Sequence, residues 1–211
     1  MHLLPPSRTH VLVTHADPLL SAGIVSALRG QPGFEIFVNG VDIVNVEGPR
    51  IDVIVADYPR ALQLLSERSR AGYRALAEAR VLVLTANERE ADIRRAIEAG
   101  VHGYLLVGSP LEELVEAVTL LASGVRYLAR PVAQRMADSL ARTALTAREL
   151  EVLRLVVAGC SNKIIARDLR IELATVKTHM GVIMSKLGAS TRTQAAAISS
   201  ARGLVDDRAA A

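Results

Sequence analysis

Apolar residues follow two different patterns along the first 125 residues of this chain, short continuous runs and a helical period. Short continuous apolar runs predict strands, and they cover residues 10–14, 35–38, 51–56, 81–84 and 104–107. Segments of helical period separate and follow them, at residues 19–29, 60–79, 87–99 and 110–123, with a short or distorted helix expected within residues 41–50. Strands that alternate with helices in this way predict an α/β domain with a five-stranded parallel sheet, covered on both faces.

The last third of the chain shows helical period alone. Val176, Met180, Ile183 and Leu187 recur at i, i+4, i+7 and i+11, which is one stripe of a helix. A shorter helix is predicted over residues 162–169, and the residues between the two helices suffice only for a turn. Two helices joined by about four residues, the second with a polar and basic face, are typical of a helix-turn-helix that enters the DNA major groove.

These patterns predict four parts in the chain. Residues 1–9 form a leader that contains two prolines, residues 10–125 an α/β domain, residues 126–144 a helix-prone linker and residues 145–211 an all-α domain. In parallel sheets, ligands bind at the carboxyl ends of the strands, so a site in the first domain is expected there.

Charge and composition sharpen this picture. Residues 145–211 hold ten Lys or Arg against six Asp or Glu, a net charge of +4, whereas residues 1–144 hold 15 against 16, a net charge of −1. The basic excess therefore lies at the helix-turn-helix, as expected for a surface that contacts phosphate. The single cysteine, the absence of a signal-peptide pattern and the lack of an apolar run of about 18 residues predict a cytoplasmic protein without a membrane partner.

Four motifs in the last third carry a resemblance to a known family. They read LTxRExEVL, SNKxIAxxL, TVKxH and KLGxxxRTxA, in that order, from residue 145 onward. With the strand order upstream, the chain resembles response regulators of the NarL/FixJ type. The resemblance implies a flavodoxin-like receiver domain followed by a four-helix LuxR-type helix-turn-helix domain. It also implies a transcription regulator that binds double-stranded DNA as a homodimer at a two-fold related promoter site.

The resemblance and the polar face of the second helix together assign candidate DNA-binding residues. Lys177 is the first choice for a base or phosphate contact, and Gly181 is a departure, because many relatives have a longer polar side chain there. Packing is the more frequent role for a histidine placed as His179 is. The DNA-binding candidates are Ser161, Asn162, Lys163, Thr175, Lys177, Thr178, His179, Lys186, Arg192 and Thr193.

Receiver domains of this family accept a phosphoryl group on an aspartate at the end of the third strand, and three residues of this chain match that machinery. Asp57 matches the acceptor aspartate, Thr85 matches the hydroxyl residue that ends the fourth strand, and Tyr104 matches the aromatic position that often reports the switch.

The remaining positions depart from the family pattern. His15 and Ala16 stand where the family has an acidic pair that holds Mg²⁺, and Val107 stands where it has a lysine. Asp17, one residue further on, could supply one metal oxygen, and Mg²⁺ requires a near-octahedral set. The first 144 residues contain no lysine that could replace the missing one. We therefore expect an atypical receiver domain with no cofactor and no Mg²⁺ at Asp57.

Three functional hypotheses remain open from the sequence. The first is a phosphorylation-independent regulator whose input is a small molecule, a partner protein or its own concentration. The second keeps phosphorylation of Asp57 by a histidine kinase, and the third is an interaction module that does not bind DNA. An enzyme is not expected, because the chain has no G-x-S-x-G motif, no phosphate-binding glycine-rich loop and no metal-ligand cluster.

Overall fold

The computed structural model describes residues 8–38, 50–67 and 76–205. The described residues form two compact units, and the chain passes between them after Glu88, after Asp92 and after Ala133. The leader through residue 7, the expected helix within residues 41–50 (all but Arg50), and the final residues from 206 lie outside the described residues.

A six-stranded parallel sheet forms the first unit, in the order β2-β1-β3-β4-β5-β6. Its first five strands confirm the predicted ones, and their order is that of the flavodoxin-like fold. The strands are β1 (Thr9–Thr14), β2 (Phe34–Val38), β3 (Val53–Ala56), β4 (Arg80–Thr85), β5 (Gly103–Leu106) and β6 (Tyr127–Leu128).

The prediction of five strands was wrong by one, because β6 lies at the start of the segment predicted as a helical linker. Tyr127 N–H donates to the carbonyl of His102 at 3.1 Å, and Ala129 N–H donates to the carbonyl of Tyr104 at 3.0 Å. Two paired residues are too few to produce a strand period in the sequence. The sixth strand therefore depends on the edge that β5 offers.

Helices cover the sheet, and the central strands are buried as a result. Val11–Val13, all of β3 and Val81–Leu84 are buried, as continuous apolar strands of a parallel sheet should be. The helices up to this point of the chain are α1 (Pro18–Arg29), α2 (Tyr58–Glu67), α3 (Glu90–Glu98) and α4 (Leu111–Ala122). Helix α5 (Arg130–Leu140) follows β6, and its residues from Gln134 onward belong to the second unit. The helix expected over residues 60–79 is described only in part, because residues 68–75 lie outside the described residues. It starts two residues earlier, as α2, and residues 76–79 are not α-helical, so the predicted end was wrong.

The last four described helices of the second unit pack around one apolar core. They are α6 (Ala147–Val157), α7 (Asn162–Leu169), α8 (Leu173–Leu187) and α9 (Arg192–Arg202). The predicted stripe of α8 is confirmed, since its four apolar residues are all buried and contact Val152, Leu153 and Ile165 in one cluster. The turn before α8 starts at Arg170, whose φ of 51° is left-handed and ends α7. No helix among the described residues is long and apolar enough to cross a membrane.

Candidate DNA-binding surface and strand-end site

The N-terminal part of α8 presents a polar face on the side away from the core. Thr175, Lys177 and Thr178 are exposed there, while Val176 and Met180 on the other side are buried. The Thr178 hydroxyl donates to the carbonyl of Ala174 at 3.1 Å. In a helix-turn-helix, residues at this end of the second helix reach base edges, so the exposed lysine and threonines lie where contacts are expected.

The N-terminus of α7 forms a second polar surface. Ser161 caps the helix, because its hydroxyl accepts a 3.4 Å hydrogen bond from Ile164 N–H. Lys163, in the first turn, is exposed. The free N–H groups and positive dipole of a helix N-terminus attract phosphate, and the lysine adds a full charge.

Arg192, the first residue of α9, joins that helix to the start of α7. One guanidinium nitrogen donates to Asn162 Oδ1 at 2.8 Å, and the other donates to the carbonyl of Cys160. Both side chains of this pair are half-buried, whereas the neighbouring Thr193 is exposed. Asn162 and Arg192 thus hold the α7 N-terminus in place.

Lys186 lies against α6, although the sequence analysis placed it among the DNA-binding candidates. Its ammonium donates to Glu149 Oε2 at 2.8 Å and to the carbonyl of Ala144 at 3.1 Å, and its side chain is only 19% exposed. Burial raises the pKa of Glu149, but hydrogen bonds from Lys186 and from Thr146 N–H outweigh it and hold that pKa below its ordinary value. Sequence reasoning missed Glu149 as the partner, since 37 residues separate the two.

The candidate His179 and Gly181, which departs from the family pattern, differ in their surroundings on α8. His179 is half-buried, between the polar and the apolar face. Gly181 is exposed, and a Cβ atom built there would have no heavy atom within 4 Å. Packing within the protein therefore does not require glycine at that position.

We call the residues that follow the carboxyl ends of β1, β3, β4 and β5 the strand-end site. In it, both carboxylate oxygens of Asp57 accept backbone hydrogen bonds. Ala16 N–H donates to Oδ2 at 2.6 Å, and Arg60 N–H donates to Oδ1 at 2.9 Å. Asp57 thus caps α2 and ties the loop after β1 to the end of β3.

Asp17 lies in that loop, but its carboxylate caps α1. Oδ1 accepts hydrogen bonds from Leu19 N–H at 2.8 Å and Leu20 N–H at 3.1 Å. His15 turns back into the loop, where Nδ1 accepts from Asp17 N–H at 3.0 Å. Across the described ranges, no three His, Cys, Asp or Glu side chains are grouped so that they could hold a metal ion. The carboxylates of Asp57 and Asp17 both accept hydrogen bonds from backbone N–H groups at or next to helix starts.

The other half of the strand-end site is held by hydrogen bonds to Asn87. Thr85 Oγ1 accepts from Asn87 N–H at 3.1 Å, and the buried Tyr104 donates its hydroxyl to the Asn87 carbonyl at 2.7 Å. Val107 follows β5 and is partly exposed. Sequence reasoning missed Asn87, because a backbone partner leaves no signal in residue type.

Comparisons with known proteins agree with this geometry. Residues 143–199 match the family described as bacterial regulatory proteins, luxR family. The chain is 32% identical over 210 residues to the transcriptional regulatory protein LiaR of Bacillus subtilis, covering 93% of this chain and 99% of LiaR. It is 31% identical over 202 residues to the nitrate/nitrite response regulator protein NarP of Escherichia coli, covering 88% of this chain and 91% of NarP.

Solved structures share the fold. A structure of the RcsB response regulator of Salmonella typhimurium has a TM-score of 0.72 and 18% identity, covering 92% of this chain and all of that one. An RcsB–DNA complex has a TM-score of 0.66 at 20% identity, covering 92% and 99%. Taken with the extent and identity of the LiaR match, the helix-turn-helix and the strand-end site show that this chain belongs to the NarL/FixJ-type response regulators with a LuxR-type helix-turn-helix domain, which are DNA-binding regulators.

Proposed function

We propose that this chain is a dimeric, sequence-specific transcription regulator whose receiver-like domain works without phosphorylation of Asp57. In this proposal residues 10–125 are the receiver-like domain, 126–144 the linker and 145–211 the DNA-binding domain, with residues 1–9 as a leader. The observation that carries it is the pair of backbone hydrogen bonds to Asp57, one to each carboxylate oxygen.

Phosphoryl transfer to an aspartate needs a nucleophilic carboxylate oxygen and cations that offset the developing charge. Ala16 N–H and Arg60 N–H each donate a hydrogen bond to one oxygen of Asp57, which fixes the carboxylate and lowers the nucleophilicity of both oxygens. Asp17, which could have supplied one metal oxygen, caps α1. Val107 cannot offer the positive charge that a lysine supplies at the end of the fifth strand. We infer that the domain uses no Mg²⁺ and no other cofactor.

We assign the DNA-binding surface from the exposure of each candidate side chain and from its hydrogen-bond partners within the protein. Lys177, with Thr175 and Thr178, contacts bases or phosphates in the major groove, and Lys163 contacts phosphate at the α7 N-terminus. Ser161 and Thr193 are exposed beside Lys163 and contact the sugar-phosphate backbone of the DNA.

The paired residues have other roles in this assignment. Asn162 and Arg192 position the α7 N-terminus. Lys186 neutralises Glu149 and stabilises the domain, and His179 packs at the edge of the helix.

Dimer formation on DNA is the remaining part of the proposal. One solved relative is described as two RcsB dimers bound to two parallel DNAs, with a TM-score of 0.68 and 20% identity. A two-fold dimer would match a two-fold related promoter site. The input to the receiver-like domain is then a small molecule, a partner protein or the concentration of the regulator itself.

Incubation with acetyl phosphate and Mg²⁺ tests the proposal. We expect no hydroxylamine-labile phosphoryl label on Asp57, and equal promoter affinity for the untreated chain, the treated chain and Asp57→Ala. A stoichiometric label that disappears in Asp57→Ala would overturn phosphorylation independence and favour a histidine-kinase-driven switch. No DNA affinity at low salt would instead favour an interaction module.

A further inference from the structure

An open cavity of about 720 Å³ lies at the amino ends of the central strands of the first unit. Three of its lining residues mark those ends, since Asp52 directly precedes β3, Arg80 begins β4 and His102 directly precedes β5. The C-terminal end of α4, through Gly124, contributes another part of the lining. The strand-end site follows the carboxyl ends of the same strands, so this cavity lies at the opposite end of the sheet from Asp57.

Arg80 brings a positive charge without a partner to this cavity. The residue is half-buried, and no described residue forms a hydrogen bond or an ion pair with its guanidinium group. In the second unit, the half-buried Arg148 and Arg192 each donate to two acceptors. A guanidinium group carries five N–H donors, and partial burial without acceptors is unfavourable. Arg80 is therefore available to an anionic group with two acceptor oxygens.

A carboxylate lines the cavity from the neighbouring strand. Arg80 N–H donates to the Asp52 carbonyl at 2.8 Å, so the two residues are adjacent across the sheet, yet their side chains form no ion pair with each other. Asp52 Oδ2 accepts a hydrogen bond from His10 N–H at 2.9 Å, and no described residue donates to Oδ1. The cavity thus holds a guanidinium group and a carboxylate oxygen on adjacent strands, each without a partner among the described residues.

The other two charged residues of the lining, Arg50 and Glu78, neutralise each other. Their ion pair has an N···O distance of 2.6 Å, and the side chains are 68% and 70% exposed. The charged lining residues are therefore two arginines and two acids, which together have no net charge. The carboxylates would repel a phosphate or another multivalent anion, and Arg80 would repel a simple cation. A ligand that carries both signs of charge is favoured.

We propose that this cavity binds a small zwitterion of the amino-acid type, whose carboxylate pairs with Arg80 and whose ammonium group donates to Asp52 Oδ1. The planar guanidinium group matches two carboxylate oxygens at once. The volume lies within the range of about 300–1,000 Å³ of ligand pockets, and water fills the space that a small ligand leaves. Nucleic acid fits less well, because its phosphates require a net positive surface. Use of the site as the regulator's input rests on the function proposed above.

Titration of the full chain with glycine and with 4-aminobutyrate, followed through backbone amide NMR signals, tests the site. These two zwitterions hold their charges at different separations, and we expect saturable shifts of the Arg80 and Gly124 signals with at least one of them. Butyrate and butylammonium each carry only one of the two charges. We expect both to bind at least about 10-fold more weakly than the zwitterion, because one charge-assisted contact is lost.

Two variants separate the contacts of the carboxylate and of the ammonium group. Arg80→Gln should weaken the zwitterion at least about 10-fold. Its matched control, Arg95→Gln, makes the same exchange at an exposed position of α3 outside the cavity lining and should keep binding. Asp52→Asn retains an acceptor for His10 N–H, and it should weaken the zwitterion without weakening butyrate. This second variant keeps the test decisive if Arg80→Gln does not fold.

Three results would overturn the proposal. The first is shifts that never saturate, and the second is zwitterion binding that persists unchanged in a folded Arg80→Gln. The third is binding of butyrate or inorganic phosphate as tight as that of the zwitterion, which would identify a simple anion site. Probe binding is measured without DNA or phosphodonor, so its failure leaves the proposed function standing.

Discussion

The backbone N–H of Ala16 donates a 2.6 Å hydrogen bond to Oδ2 of Asp57. Ala16 follows β1 where the receiver family has a metal-binding acid, and Asp57 follows β3 where it has the phosphoryl acceptor. In this chain the residue at the metal-binding position, Ala16, contacts the acceptor position, Asp57, through a backbone hydrogen bond. The aspartate thereby stabilises the fold at the place where the family carries out chemistry.

Asp57→Ala is expected to destabilise the first unit by about 1–2 kcal/mol, because it removes the cap of α2 and the acceptor for Ala16 N–H. Promoter affinity should not change. Denaturant unfolding and fluorescence anisotropy with a promoter fragment measure the two quantities. Glu98→Ala, which removes an exposed carboxylate from α3, is the control and should stay within about 0.5 kcal/mol. Equal stability of Asp57→Ala and wild type would show that the two hydrogen bonds do not hold the site.

Lys177→Ala should weaken promoter binding about 10-fold and reduce the slope of log affinity against log salt by about 1, because one phosphate-neutralising charge is lost. Anisotropy titrations at several salt concentrations check this. Arg29→Ala, which removes an exposed cation at the end of α1, is the matched control and should change neither value. If the two variants behave alike, α8 is not the recognition helix.

Lys186→Ala should lower the free energy of unfolding of the second unit. Removing the ammonium leaves the buried Glu149 carboxylate without its cationic partner, with an expected cost of about 3 kcal/mol to the second unit. Thermal and denaturant unfolding measure it. Lys163→Ala removes an exposed lysine from the same unit and should change the free energy of unfolding by less than about 0.5 kcal/mol. If the variant loses DNA affinity without losing stability, Lys186 contacts DNA and does not mainly stabilise the domain.

The second unit should also lose stability in acid. The pKa of Glu149 is lower in the folded chain than its ordinary value of 4.5. Its contribution is therefore complete above about pH 4.5 and disappears as the pH falls from there through the folded pKa. Glu149→Gln should flatten the pH dependence of unfolding in this window. An unchanged pH profile in that variant would show that other carboxylates cause the acid sensitivity.

Ser199→Ala should raise stability. The Ser199 hydroxyl is fully buried in α9 and has no hydrogen-bond partner among the described residues, which costs about 1–3 kcal/mol. We expect a gain of about 1 kcal/mol in denaturant unfolding. Ser185→Ala, at an exposed position of α8, controls for helix propensity. A gain no larger than that of the control would mean that the hydroxyl is solvated.

Local periodicity was sufficient to predict most of the elements from the sequence. Helix α7 has the predicted bounds, and the apolar stripe of α8 is the one that packs on the core. The strand β6 was not predicted, because two residues are too few to show a strand pattern. They form a strand only through their hydrogen bonds to β5. Motif spacing was equally informative for the family, since it depends on residue order alone.

The sequence by itself determined the α/β and helical parts, the family and the residues missing from the receiver domain. Tertiary structure decided which of the remaining polar residues form hydrogen bonds within the protein. Asp57 meets Ala16 across 41 residues, Lys186 meets Glu149 across 37 and Arg192 meets Asn162 across 30. Such pairs form only when the helices and strands pack, because a residue's type and its near neighbours along the chain carry no information about a partner that far away.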